Sequence, residues 1–420
     1  MRFVAPTSRC GPLSRTTAIL ATTLAVACGG ADAAPTPGVS GDTITVGVIA
    51  SLSDAVAVIG VPLSAGIQTY FDALNAQGGV GGKYKVRVIV EDHTYANPST
   101  SAQKYQKIKG DVAMFASVVG TDHIKMLLPL LDEDSLMVVP TTFDAEWVRE
   151  PNLQPWGPPY QIWAMNGISY FRSLPGNAAK VVCAMTLATG YGDAGLEGMR
   201  YGAEKEGYEI AATASFKQDD QDFLAPITQL RNAKCDAVLL ASLPGTTGRV
   251  LGTAAQAGFA PQWLLLSPGW LGAFVGSPLR DYLIKTTWVL FDGAEWGDTT
   301  VAADRAMLAA LERFRPDQKP DIYFGAGWMS AMATERLLAK AVELGDLSRG
   351  GIMRASAALG TVSYDGASSD YTYGPASERE PPRTTEVFRV DPANPIGLKL
   401  VKSKAQSEAA KGFVFAKRGQ

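Results

Sequence analysis

Histidine and cysteine are what this sequence has least of, and their scarcity closes off most catalytic chemistry. Two histidines, His93 and His123, and four cysteines stand among 420 residues. No H-E-x-x-H, G-x-S-x-G or Cys-x-x-Cys pattern occurs, so the zinc-protease, serine-hydrolase and dithiol classes have no footing. No residues show metal-ligand spacing, and neither a metal nor a cofactor is expected. Charge of one sign is also missing. Thirty-eight Lys and Arg face 41 Asp and Glu, the formal net charge is −3, and the basic residues are scattered. That excludes a nucleic-acid groove. The apolar run Thr17–Ala27 is too short to span a bilayer permanently.

What is present is apolar bulk and turn residues. A hydrophobic content of 46% in a chain of this length implies two lobes, and 43 Gly with 25 Pro suit many strand-to-helix turns. The most informative stretch runs from Val112 to Trp147. Apolar runs at Val112–Val119 and Leu136–Val139 flank a helical segment, Asp122–Leu131. Such runs suit parallel strands buried on both faces. A helical crossover then brings both following turns, Gly120-Thr121 and Pro140-Thr141-Thr142, to one carboxyl edge of a sheet, where open α/β sheets bind ligands. There Gly120 permits close backbone approach, and Thr121 and Thr142 offer hydroxyls to an anion or serve as ordinary helix caps.

The same alternation runs through the chain. Before this stretch, strands are expected at Thr43–Ala50 and Lys85–Glu91, with helices at Pro62–Asn75 and Ser99–Lys109. Pro151–Pro159 (PNLQPWGPP) reads as a surface loop, after which the β/α order restarts at Lys180 and continues to Leu266. The fold expected is α/β, with two doubly wound parallel-sheet lobes. A strand at Trp288–Phe291, helices at Val301–Phe314 and Tyr323–Leu344, and a strand at Thr385–Val390 return the chain between lobes. Ala405–Gln420 reads as a polar tail.

Residues 1–28 read as an export signal, with Arg2, Arg9 and Arg15 before the apolar run. Small residues before Cys28 match a lipobox imperfectly, because Ala25 stands where Leu is usual. Lipidation of Cys28 and anchoring to the membrane are expected, with plain cleavage after Ala27 or Ala33 as the alternative. Residues 29–42 form the linker. Cys183 and Cys235, each within or at the start of an apolar strand, are read as buried thiols rather than a disulfide. His123 reads as a surface residue at a helix start. Gly190-Tyr191-Gly192-Asp193-Ala194-Gly195 matches a dinucleotide fingerprint, but Tyr191 would occupy the pyrophosphate's space; the glycines are read as letting Tyr191 lean over a cleft.

With these residues in hand, the chain resembles the solute-binding proteins of branched-chain amino-acid ABC transporters, the leucine/isoleucine/valine-binding type I periplasmic binding proteins. The phrases NAQGGVGG, MVVPTT, GYGDAG and DFLAPITQL in register carry the resemblance. It implies a clamshell with three hinge crossings. Lobe one would be 43–161 plus 292–385, and lobe two 162–291 plus 386–420. It also implies a non-enzymatic, monomeric receptor that delivers a small ligand to an ABC permease, or a sensor built on the same fold.

By the resemblance, Gly120, Thr121, Thr141, Thr142 and Phe143 would hold a ligand carboxylate, and Ser53, Asp54, Ile59 and Gly60 would face the same cleft. Tyr191 aligns with an aromatic lid residue, and Leu243 replaces a second one. The amino-acid receptors carry an acid in a later turn that pairs with the ligand ammonium. Here that turn reads Ser267-Pro268-Gly269-Trp270, which argues against a zwitterion and casts Gly269 and Trp270 as a wall for a flat or apolar ligand, or for a cation. Asp54 is the candidate for a displaced acid. Trp328 is a further candidate wall, with a core position on its apolar helix as the competing reading.

Overall fold

The computed structural model describes residues 36 to 416. The expected signal, Cys28 and most of the linker lie outside them. Within the described part of that linker, β1 (Val39–Ser40) pairs antiparallel with the start of β2 (Thr43–Ala50). Next come α1 (Ala57–Ala76), β3 (Lys85–Asp92), α2 (Ser99–Ile108), β4 (Met114–Val119), α3 (Thr121–Asp134) and β5 (Val138–Thr141). The parallel order is β3-β2-β4-β5.

The second lobe begins with α4 (Tyr160–Ser173). It continues through β6 (Val182–Leu187), α5 (Gly190–Glu206), β7 (Ile210–Phe216), α6 (Leu224–Asn232) and β8 (Ala237–Ala241). Then follow α7 (Pro244–Gln256), β9 (Gln262–Leu266), α8 (Arg280–Thr286) and β10 (Thr287–Phe291). Its sheet runs β7-β6-β8-β9-β10 in parallel. Both lobes thus place their first strand between the second and third. That reversal opens a crevice at the carboxyl edge.

The chain then returns to the first lobe with α9 (Ala302–Phe314), α10 (Ile322–Glu343) and α11 (Arg349–Ala357), followed by a small ribbon of β11 (Thr361–Val362) and β12 (Tyr371–Thr372). It ends with β13 (Thr385–Val390) and β14 (Leu398–Ala405), antiparallel additions beside β10, and with α12 (Glu408–Gly412).

Alternation within each strand assigns the first sheet's two faces. Ile49, Phe115, Val118 and Val138 point into a core with Tyr105 of α2 and Ile124, Leu127 and Leu131 of α3. Val46, Val48, Met114 and Val139 point the other way, toward α1 and α10. Those helices approach closely because Gly66 and Gly327 stand at their crossing.

Three expectations are corrected. Cys183 and Cys235 form a disulfide, with Cα atoms 5.9 Å apart. The cause is strand pairing: Cys183 lies within β6, Cys235 just before the neighbouring β8, and the apolar core encloses both. Pro151–Pro159 is not a surface loop, since residues 152 to 159 are buried. Its backbone is satisfied in place of water: Gln154 N–H donates to the Val138 carbonyl and the Arg379 guanidinium donates to the Leu153 carbonyl, both at 2.8 Å. The supposed tail is structured through Phe415. Phe413 and Phe415 are buried against Val148, Ile162 and Met165, and Arg383 donates to the carbonyls of Ala410 and Phe413.

Candidate ligand-binding site

Strand ends from both sheets line one cavity of about 140 Å³. That is on the order of ten times the space a single water needs. Val119 and Thr141 end β4 and β5; Leu243, Ser267 and Phe291 follow or end β8, β9 and β10.

Its polar corner is built on α3. Gly120 precedes the helix at φ 103°, a conformation that suits glycine, and an added Cβ there would meet the His123 ring at 2.7 Å. Thr121 and Thr142 are buried, with hydroxyl oxygens 2.6 Å apart, and the Tyr160 hydroxyl is hydrogen-bonded to Thr142. Behind the turn, His123 is buried rather than on the surface. Its Nδ1 lies 2.8 Å from Nδ1 of His93, and Ser101 Oγ touches both rings. Burial, and then His123 itself, push His93 down to about 3, so it is neutral at physiological pH.

Aromatic rings make most of the remaining wall. Phe143 packs against Trp156 at 4.7 Å and Trp163 at 5.3 Å between centroids, and Tyr191 packs against Tyr160 at 4.8 Å. Burial raises the pKa of Tyr95, Tyr160, Tyr191 and Tyr323 well above the ordinary phenol value, leaving four neutral hydroxyls on the wall. Asp292 and Asp304 also line the cavity; among the described residues no Lys or Arg does.

The lobes touch across the opening. The first N–H of α5, from Gly190, donates to the Asp122 carboxylate at 3.2 Å, and a Cβ at Gly190 would stand 2.8 Å from that carboxylate. Tyr323 of α10 donates its hydroxyl to the Pro268 carbonyl at 3.1 Å. Gly190 of the GYGDAG phrase thus serves helix approach.

Nine of the expected residues line the cavity: Ile59, Gly120, Thr121, Thr141, Thr142, Phe143, Tyr191, Leu243 and Trp328. Four do not. Ser53 is exposed and donates to Asp92. Asp54 is consumed by its own turn, accepting from Ser51 and from the N–H groups of Val56 and Tyr95. Gly269 packs against Ser242 and Thr247, and Trp270 is wholly buried, with its indole N–H on the Ile396 carbonyl at 2.9 Å. Ile396 lines the cavity, and Trp270 does not.

Tyr95, Trp156, Tyr160, Asp304, Tyr323 and Ile396, not expected from the sequence, also line the cavity. Aromatic density in TYANP and PWGPPY was the available signal for the first three. Asp304 and Ile396 arrive on later chain crossings and carry none.

A family model described as periplasmic binding protein matches residues 43–395. The chain belongs to that family. Its members are extracytoplasmic binding proteins rather than enzymes. Among solved structures, this periplasmic binding protein is similar to a fatty acid ABC transporter substrate-binding protein from Thermomonospora curvata. The match has 22% identity and a TM-score of 0.82, covering 91% of this chain and 97% of that one. A branched chain amino acid ABC transporter protein from Thermus thermophilus with bound valine is similar at 13% identity and TM-score 0.75, covering 89% and 99%. A possible leucine/isoleucine/valine-binding protein from Rhodopirellula baltica is similar at 18% identity and TM-score 0.75, covering 88% and 98%. At these identities the likeness concerns the fold, the two-lobe type I architecture anticipated above.

Proposed function

We propose that this protein captures a small organic solute in the interlobe cavity and hands it to an ABC permease, tethered to the membrane through Cys28. The solute has an apolar or aromatic body and a carboxylate or amide-like head. The observation that carries this reading is the pairing of an aromatic wall with the Thr121–Thr142 corner at the N-terminus of α3. Hydroxyls and first-turn N–H groups stabilise an acceptor without a buried cation. The lobes proposed are 43–161 with 292–385, and 162–291 with 386–420. Closure about their crossings would enclose the solute.

A thermal-shift screen of amino acids, branched and aromatic carboxylates, and amides tests this. A solute at about 100 times its Kd stabilises the native state by about 2.7 kcal/mol. For the solute found, Thr121→Ala with Thr142→Ala should cost about 1–3 kcal/mol of affinity. Unchanged affinity would remove the anion corner from the reading, and hits among amino acids would mean that the ammonium's partner lies outside the Ser267–Trp270 turn.

A further inference from the structure

Among the described residues, carboxylates that are less than a tenth exposed are held by side-chain donors, with one exception. Asp144 accepts from the Gln161 amide at 3.0 Å, Glu335 pairs with Arg336 at 3.2 Å, and Glu386 accepts from Ser403 and the Lys404 N–H. Asp292, only partly buried on the cavity wall, likewise accepts two serine hydroxyls and a backbone N–H. Asp304 has none of this. It stands in the first turn of α9, 6% exposed, and accepts one backbone N–H, from Gly297. The nearby charge of Asp298, of the same sign, adds to the cost of ionising it. Burial pushes its carboxyl up to about 6.

A buried acid without a cation is costly, and proteins pair or neutralise such groups. Asp304 lines the cavity, and among the described residues no basic side chain lines it. The partner that fits is therefore on the solute. We propose that Asp304 receives a hydrogen-bond donor of the solute, an ammonium above all and otherwise a hydroxyl, so that the solute carries a donor as well as its acceptor head. The assignment rests on the cavity being the solute site. It does not depend on what Thr121 and Thr142 hold. It also relocates the acid that the Ser267–Trp270 turn lacks, from lobe two to a helix of the returning chain.

Four probes of equal chain length separate the two ends: caprylate, ω-hydroxycaprylate, ω-aminocaprylate and octylamine. Each is titrated calorimetrically into the purified protein, into Asp304→Asn and into Asp304→Leu. The expected result is that ω-aminocaprylate binds at least about tenfold tighter than caprylate. Asp304→Asn should abolish that advantage, and Asp304→Leu should reverse it in favour of caprylate. Octylamine has no acceptor head. If it binds and Asp304→Asn abolishes that binding, Asp304 is supported even where caprylate fails, and the failure then belongs to the threonine corner. The proposal is overturned if neither amine binds, if caprylate matches ω-aminocaprylate, or if the amine preference survives in Asp304→Leu. Circular dichroism of the variants excludes misfolding as the cause.

Discussion

Adding one methyl group at the crossing of α1 and α10 should destabilise the protein and disturb the cavity together. A Cβ built on Gly66 would stand 2.1 Å from the Phe324 carbonyl oxygen, and one on Gly327 would stand 2.0 Å from the Leu63 carbonyl oxygen. Both obstacles are helix backbone, so no rotamer change relieves them and the helices must separate by roughly 1 Å. Overpacking of this kind costs about 1–3 kcal/mol. The intrinsic preference of a helix for Ala over Gly returns about 0.5–1 kcal/mol. The net expectation for Gly66→Ala or Gly327→Ala is a loss of about 1–2 kcal/mol. The double variant should lose less than the sum, because one separation accommodates both methyl groups. Gly252, within α7, has nothing within 4 Å of its added Cβ. Gly252→Ala should therefore stabilise by about 0.5–1 kcal/mol. Urea unfolding midpoints read all four. Ligand titration reads the second effect, since Leu63 and Trp328 flank the crossing and line the cavity. Gly66→Ala and Gly252→Ala shifting the midpoint in the same direction would refute the packing argument.

Other expectations follow from single features. Replacing Cys183 and Cys235 by Ala should cost about 4 kcal/mol on the chain-entropy model for a separation of 52 residues; a midpoint unmoved by reductant would count against it. Trp270→Phe leaves the Ile396 carbonyl without its donor and should cost about 1–2 kcal/mol of stability with little change in ligand affinity. The reverse pattern would return Trp270 to the ligand wall. Asp304 titrates near 6 in the fold against an ordinary 3.8. Its ionisation therefore penalises the folded state increasingly as pH rises from about 4 to 6, and fully above that. Asp304→Asn should raise stability by up to about 3 kcal/mol at pH 8 and by almost nothing below pH 4. Denaturation curves at the two pH values read the difference, and a pH-independent gain would refute the assignment.

The sequence made the sheets legible because buried parallel strands are short apolar runs between glycine and hydroxyl turns. TITVGVIA and the run ending at Val119 needed no tertiary context. The α4 helix escaped because its first nine residues are all buried, leaving no polar face to reveal its period. The disulfide escaped because its cysteines become neighbours only once β6 and β8 pair. Within the site, turn residues directly after strands were readable, since topology alone delivers them to the carboxyl edge. Trp270 was misplaced because nothing local announces that the Ile396 carbonyl will capture its indole. Asp304 was missed for the same reason: its importance lies in what is absent around it.

The return of α10 to the first sheet also bears on how the chain folds. The sheet face carrying Val46, Val48 and Val139 finishes its cover only when Ile322–Glu343 arrives, after the five parallel strands of the second sheet have been made. Until then a partly synthesised chain keeps an apolar surface uncovered and has few local contacts with which to cover it. Closure over so long a loop is slow. The early chain therefore stays pliable and adhesive, a state suited to holding by a chaperone and to threading through a narrow channel, and it acquires a fixed shape only near the end of synthesis.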